Sequence, residues 1–377
     1  GTVDRLTLIF SESVVITDGG TDNDITLSAS TGTASISAAS YGATASSLVY
    51  TISGATADNT SLTITPTYAV SGAGNITAPS GNEMPNNETV TGIDGAKPAI
   101  LSAVTGDTDS DGTVDQLTLG FSETVVITDG GTDNDITLSA STGTPSITAG
   151  TYGATASTLV YTISGSTSDN TSLTITPTYA VSGDGNITDT SGNEMLNGET
   201  VSGSDDIVPV LLSASYKDTN GDGTVNRIDA VYSEDISGST FESGDWTVAD
   251  DLYTLAVGSG VFSGNTVQIT VTGSPANTTV LGPTTVKYTN QGTSNSMTDG
   301  TNHAATSSVI TVSDAASPVI VSSETSDDNK DGTVDRLTLT FSESVVVTDG
   351  VTDNDITLSA STGTASISAA NYGATAS

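Results

Sequence analysis
The chain has 377 residues, room for two to four domains of ordinary size. Lys and Arg total 7 against 44 Asp and Glu, a formal net charge of -37; that balance argues against nucleic acid and anionic membranes as partners, because both need a basic footprint. With no Cys there is no disulfide framework and no thiolate metal site, no run of about 18 apolar residues marks a membrane span, and one His, three Met and one Trp are a poor toolkit for catalysis.

The first predicted element, GTVDRLTLIFSE at Gly1, recurs as GTVDQLTLGFSE at Gly112, GTVNRIDAVYSE at Gly223 and GTVDRLTLTFSE at Gly332. A period of 111, 111 and then 109 residues is too long for a solenoid repeat and fits one whole domain per repeat. The expected modules are residues 1–97, 98–208, 209–317 and 318–377. Residues 1–46 differ from 332–377 at four positions and from 112–157 at seven, whereas the third module, which carries Trp246 and His303, has drifted. The pattern hints at a three-module super-repeat of 331 residues. The chain starts just past the point where other copies have an acidic loop, and module 4 lacks everything matching residues 158–208. The expectation is a window on a longer array, in which a missing signal peptide or anchor carries no information.

Module 2 is complete. In chain order, its candidate strands are residues 99–104, 116–122, 123–128, 135–139, 146–149, 158–164, 172–176 and 199–202. In QLTLGFS, Leu117, Leu119 and Phe121 fall on one face, the period-2 signature of a strand. Gly, Asn, Asp and Ser clusters separate the runs as turn chemistry requires, and no helical periodicity is sustained. Seven or eight strands in about 110 residues predict an all-β fold of tandem immunoglobulin-like antiparallel β-sandwich modules. The abundant Ser and Thr suit solvent-facing strand positions. Three joints, at residues 94–98, 205–209 and 314–318, read Asp-x-x-x-Pro. Proline stiffens the chain there and the linkers are short, so neighbouring modules are expected to be held close.

The clearest chemical constellation is acidic. Module 2 has Asp107, Asp109, Asp111, Gly112 and Asp115; module 3 has Asp218, Asn220, Asp222, Gly223 and Asn226; module 4 has Asp327, Asn329, Asp331, Gly332 and Asp335. These match positions 1, 3, 5, 6 and 9 of a calcium-binding EF-hand loop, where alternate oxygens converge on a hard cation and Gly permits the sharp turn. The carbonyls of Thr113, Thr224 and Thr333 would supply position 7. Position 12, a bidentate Glu in that loop, is here Thr118, Asp229 or Thr338, and a strand follows instead of a helix. The expectation is a Ca2+ loop set into a β-domain, with Glu123, Glu234 and Glu343 as candidate further ligands; the alternative is a solvated acidic turn. A second acidic loop contains Asp18, Asp22 and Asp24, with copies at Asp129, Asp133, Asp135 and Asp349, Asp353, Asp355, and reads equally as a polar hairpin loop. The joint aspartates Asp94, Asp205 and Asp314 read either as inter-module calcium ligands or as Asp turns before Pro.

No nucleophile elbow, zinc-protease motif or P-loop is present, so no enzyme is expected. Trp246, with Tyr253 and Phe262 nearby in sequence, suits a sugar-binding platform or, more commonly, a sandwich core. Six N-glycosylation sequons begin at Asn59, Asn75, Asn87, Asn170, Asn186 and Asn277.

RLTLTFSESVVV (residues 336–347), NITDTSGNEM (residues 186–195) and the Asp-x-x-x-Pro joint together resemble bacterial immunoglobulin-like repeats of surface-layer proteins, large adhesins and swimming-motility repeat proteins. The third module departs, keeping VYSEDI (residues 231–236) without a clear Ser-Gly-Asn-Glu-Met, and the first has Ala78 where the second has Asp189. The resemblance implies extracellular display, calcium rigidification and a structural or adhesive role. The leading expectation is a segment of a stalk, fibre or surface layer whose partners are neighbouring modules or copies of itself. Open sheet edges raise the possibility of filaments. The rival expectation is an adhesin whose divergent module 3 binds a glycan or protein.

Overall fold
The computed structural model describes residues 3–17, 24–40, 44–54, 63–70, 76–128, 135–141, 143–151, 155–165, 174–181, 187–291, 297–346 and 356–368. The protein is all-β, with several mostly antiparallel sheets and, among the described residues, one short 3-10 turn at Ser243–Asp245. It divides into two compact units. Unit 1 comprises Gly1–Thr108, Val114–Thr167 and Leu173–Asp205; unit 2 comprises Asp109–Thr113, Ser168–Ser172 and Asp206–Ser377.

In unit 1 the first repeat supplies β1 (Arg5–Ile16), β2 (Ile25–Ala29), β3 (Ser35–Ser40), β4 (Thr44–Ser53), β5 (Ile64–Tyr68) and β6 (Ile76–Thr77). They form a four-stranded sheet, β3-β4-β1-β6, and a β2-β5 pair. The second repeat supplies β7 (Ile100–Gly106), β8 (Gln116–Ile127), β9 (Ile136–Ala140), β10 (Ser146–Thr151), β11 (Thr155–Ser164), β12 (Ile175–Tyr179) and β13 (Ile187–Asp189). The arrangement repeats as β10-β11-β8-β13 and β12-β9, with β7 added on β8.

Unit 2 contains β14 (Leu211–Lys217), β15 (Arg227–Tyr232), β16 (Trp246–Asp250), β17 (Ala256–Ser263), β18 (Thr266–Thr272), β19 (Thr284–Tyr288) and β20 (Ile310–Asp314) of the third repeat. These join in one seven-stranded sheet, β16-β19-β20-β14-β15-β18-β17. Strand β20 closes it by running antiparallel to β19 and parallel to β14, with Ala214 opposite Val312. That parallel pair departs from the purely antiparallel expectation: the last strand of the repeat returns beside its first. The fourth repeat supplies β21 (Ile320–Ser326) and β22 (Arg336–Phe341), an antiparallel pair.

The alternation read from sequence becomes burial. Along β8 the side chains of Leu117, Leu119, Phe121, Glu123, Val125 and Ile127 are all buried and those between them are not. The sequence predicted a break at Ser122–Glu123, yet the strand runs through it, because an inward-facing glutamate keeps the period intact. Residues 199–202 form no strand, although Thr200 makes an isolated bridge to Thr178. Strand β12 lies three residues later than expected and includes Pro177, which pairs opposite Leu138.

Packing without disulfides rests on aliphatic rows and buried tyrosines. Leu8, Leu48, Tyr50, Tyr68 and Ile76 anchor the first repeat. Tyr68 and its counterpart Tyr179 are buried, and each hydroxyl accepts a backbone N–H, from Ile76 at 3.4 Å and Ile187 at 3.3 Å. Each also donates to a glutamate, Glu83 at 3.5 Å and Glu194 at 3.4 Å, so the polar tip of a core side chain is satisfied in both repeats. The third repeat packs Trp246 edge-on to Tyr232 and stacked on Phe241, at centroid distances of 6.4 and 6.3 Å.

Candidate metal centres
The Asp-rich loops were the first sequence candidates. In the second repeat Asp111 accepts the Thr113 N–H at 2.8 Å. Asp115 also accepts the Thr108 N–H at 2.9 Å and the Thr108 hydroxyl.

The other two copies close on themselves. Asp218 accepts the N–H groups of Gly221 and Gly223 at 2.9 and 2.8 Å. Asn220 donates to Asp222 at 2.8 Å and accepts from Asn226 at 2.9 Å, and Thr224 bridges Thr278. Asp327 accepts from Lys330 and Gly332 at 2.6 and 2.8 Å, Asn329 from Asp331 at 2.9 Å, and Asp335 from Asp328 at 2.9 Å. The Thr333 backbone N–H, helped by its hydroxyl, holds the Asp331 carboxyl below the usual carboxylate range.

A second convergence is more buried. Asp94, Glu123 and Asp189, all in unit 1, bring carboxylate oxygens within 4.8 Å of one another. Glu123 is 4% exposed and Asp189 1%. Three elements build it. Strand β8 aims Glu123 inward from the row that carries its leucines. Strand β13 ends on Asp189, whose two oxygens are held by Asn193, from its backbone N–H at 2.7 Å and its Nδ2 at 2.6 Å. The joint delivers Asp94, which caps its own turn by accepting the Ala96 N–H at 3.0 Å and takes the Ser191 hydroxyl at 3.2 Å. Asn193 Nδ2 also donates to the Asp94 carbonyl at 3.2 Å, so one side chain ties the joint to the β13 turn.

The geometry suits a hard cation. Oxygens bound to one calcium at about 2.3–2.6 Å lie at most about 5 Å apart, and hard cations take carboxylate oxygens. Three carboxylates this close, two of them buried, repel strongly unless a cation offsets their charge. Glu234 and Asp299 of unit 2 repeat the Glu123–Asp189 pair, with carboxylate oxygens within 4.8 Å and Glu234 1% exposed. In the first repeat Ala78 stands where Asp189 does, and the glutamate of that repeat, Glu12, is exposed. In the fourth, Glu343 accepts the Thr279 hydroxyl at 2.8 Å.

No protein-family model, curated protein or solved structure matches the chain.

Asp189 and Asp299 are the partners that sequence reasoning missed. Their signal was present: Asp189 closes the short alternation of NITD, and MTDGTN (residues 297–302) is its drifted copy, hidden by the loss of Ser-Gly-Asn-Glu-Met. Of the second acidic loop, Asp24 and Asp135 are described, with left-handed φ of 58° and 59° and carbonyls that accept the N–H of Ala69 and Ala180. Its members Asp18, Asp22, Asp129, Asp133, Asp349, Asp353 and Asp355 lie outside the described residues, as do Asn59, Asn75, Asn170 and Asn186 of the sequons. Asn87 and Asn277 are exposed. Joint residue Asp314 caps its turn on the Ala316 N–H at 3.0 Å, as Asp94 does on Ala96. Trp246 is 4% exposed and belongs to the third repeat's core, so it forms no surface platform. His303 is exposed and bridges Thr298.

Proposed function
We propose that the chain is a structural segment of a long extracellular repeat protein, a stalk, fibre or surface layer, built from immunoglobulin-like sandwich modules that divalent cations stiffen at their joints. The observation that carries this reading is the Asp94–Glu123–Asp189 cluster: a joint residue meets two buried carboxylates of the following repeat. Calcium is the favoured ion, because an all-oxygen, carboxylate-rich site of flexible loops and strand ends matches its chemistry. The acidic surface supports the same role. At a formal net charge of -37 the repeats repel one another without cations, and binding would both neutralise the joints and shorten the reach of that repulsion.

The test is calorimetric unfolding of the full chain in excess calcium and in chelator, with small-angle scattering in both states. A calcium-dependent rise of several degrees with a stiffer extended shape is expected. Superimposable melts and scattering profiles would reduce the acidic clusters to solvated turns and remove the basis of the proposal.

A further inference from the structure
Each joint proline is followed by the same two-way clamp. The N–H of Ala99, Val210 and Val319 donates to the hydroxyl of Ser122, Ser233 and Ser342, each at 3.0 Å, and each serine N–H returns a bond to the carbonyl of the same residue at 2.9 Å. These serines are the middle residues of the recurring Phe/Tyr-Ser-Glu. The clamp pins the first strand of a repeat to its second.

Unit 2 shows what rests on two of these clamps. At Gly112, with φ 81°, an added Cβ would come 2.4 Å from Ser233 Cβ and 3.5 Å from a Leu212 methyl. At Gly223, with φ 80°, it would come 3.0 Å from Val321 and 3.4 Å from Val319. Leu212 and Val321 occupy equivalent positions, as do Val210 and Val319. The glycine of the acidic loop therefore sits on the clamp and first strand of the next repeat in both cases. Gly332, with φ 88°, holds the same place in its loop and has no atom within 4 Å of such a Cβ.

Thr279 completes the second contact. It is fully buried, its N–H donates to the Ser342 carbonyl at 3.3 Å, and its hydroxyl donates to Glu343 at 2.8 Å. Because that hydroxyl has one proton, the 3.0 Å contact between the two side-chain oxygens is donated by Ser342. A directed chain results, from the Val319 N–H through Ser342 and Thr279 to the Glu343 carboxylate, in which every hydroxyl donates once and accepts once.

We infer that the third and fourth repeats lock head to tail through this seam: Gly223 of the acidic loop and Thr279 form an interaction surface whose partner is the serine clamp and first-strand aliphatics of the next copy of the repeat. The glycine of the calcium-like motif is thus required by the neighbouring repeat as well as by its own turn. The seam is direct protein contact and stands whether or not a cation binds, so it is tested in chelator.

The experiment is hydrogen exchange read by mass spectrometry on the full chain, comparing Gly223→Ala with Gly332→Ala. Both carry the same left-handed backbone penalty, and only the first meets a neighbour. Expected is at least tenfold faster exchange of the Val319 and Ser342 amides in G223A and unchanged exchange there in G332A. Thr279→Val, which removes the hydroxyl without touching a left-handed residue, is expected to accelerate the same two amides, and it decides the matter if G223A loses the folded signal of Trp246. Equal exchange at the joint in G223A and G332A, or wild-type protection in T279V, overturns the inference.

Discussion

Replacing Asp189 by Asn should change stability in opposite directions with and without calcium. Asp189 and Glu123 are both buried, with carboxylate oxygens no more than 4.8 Å apart. At an effective dielectric constant of about 20, two unit charges at that separation repel by about 3 kcal/mol. Asparagine removes that repulsion and still accepts the Asn193 N–H through Oδ1. It gives up the second bond, because its own amide would face Asn193 Nδ2, at a cost of about 1–2 kcal/mol. The net in chelator is a gain of about 1–2 kcal/mol, worth several degrees in the melting of a domain of about 110 residues. In calcium the sign reverses, because a lost carboxylate weakens binding, and stabilisation by a ligand falls with its affinity. Calorimetry of wild type and D189N in both conditions reads the crossing directly. If D189N melts lower by the same amount in calcium and in chelator, Asp189 serves only its turn with Asn193, and the argument from converging charges is wrong.

Other expectations follow from single contacts. Trp246→Ala removes the centre of the aromatic cluster in the third repeat and should cost about 3–5 kcal/mol, measured by denaturant unfolding followed by circular dichroism. Tyr179→Phe strips the acceptor from the buried Ile187 N–H and should cost about 1–3 kcal/mol, with faster exchange at Ile187. Burial, reinforced by the Asp314 carboxylate, pushes the Tyr216 phenol up to about 12. Since the unfolded phenol ionises near 10, stability from keeping it neutral is whole below pH 10 and is lost as pH rises from about 10 to about 12; tyrosinate absorbance of wild type against Tyr216→Phe measures it. Burial pushes the Asp250 carboxyl up, but hydrogen bonds from Thr284, Leu252 and Tyr253 outweigh it and hold the carboxyl below its usual range. Its contribution is present above about pH 4 and is lost as pH falls through the depressed value, so Thr284→Val should move acid unfolding, read by Trp246 fluorescence, to higher pH.

Much of this protein was legible from the chain alone, for a local reason. Strand alternation is a period-2 property of a few neighbouring residues, so QLTLGFS announced its buried face without any knowledge of what covers it. The repeat length, the joint prolines and the turn residues were equally visible, because they depend on backbone sterics and sequence identity. Where sequence reasoning stumbled, it read chemistry locally when the structure uses it at long range. The run was divided between Ser122 and Glu123, yet Glu123 occupies a core-facing position within one continuous strand. In the Asp-rich loops of the third and fourth repeats the spacing of the oxygens was legible, whereas which N–H groups of the loop they accept was not.

The sequence by itself determined the all-β character, the repeat and the acidic spacing of its loops, since these rest on composition, period and turn chemistry. Only the tertiary structure decided which carboxylates meet. Asp94, Glu123 and Asp189 are separated by 29 and 66 residues, and nothing in their spacing brings them together. Their convergence comes from β13 pairing with β8 and from a joint held down by Asn193, contacts made when the strands are assembled. The role of Gly223 likewise could be read only once the first strand of the next repeat was in place. In sequence it was a turn glycine; packing against Val319 and Val321 makes it part of a seam.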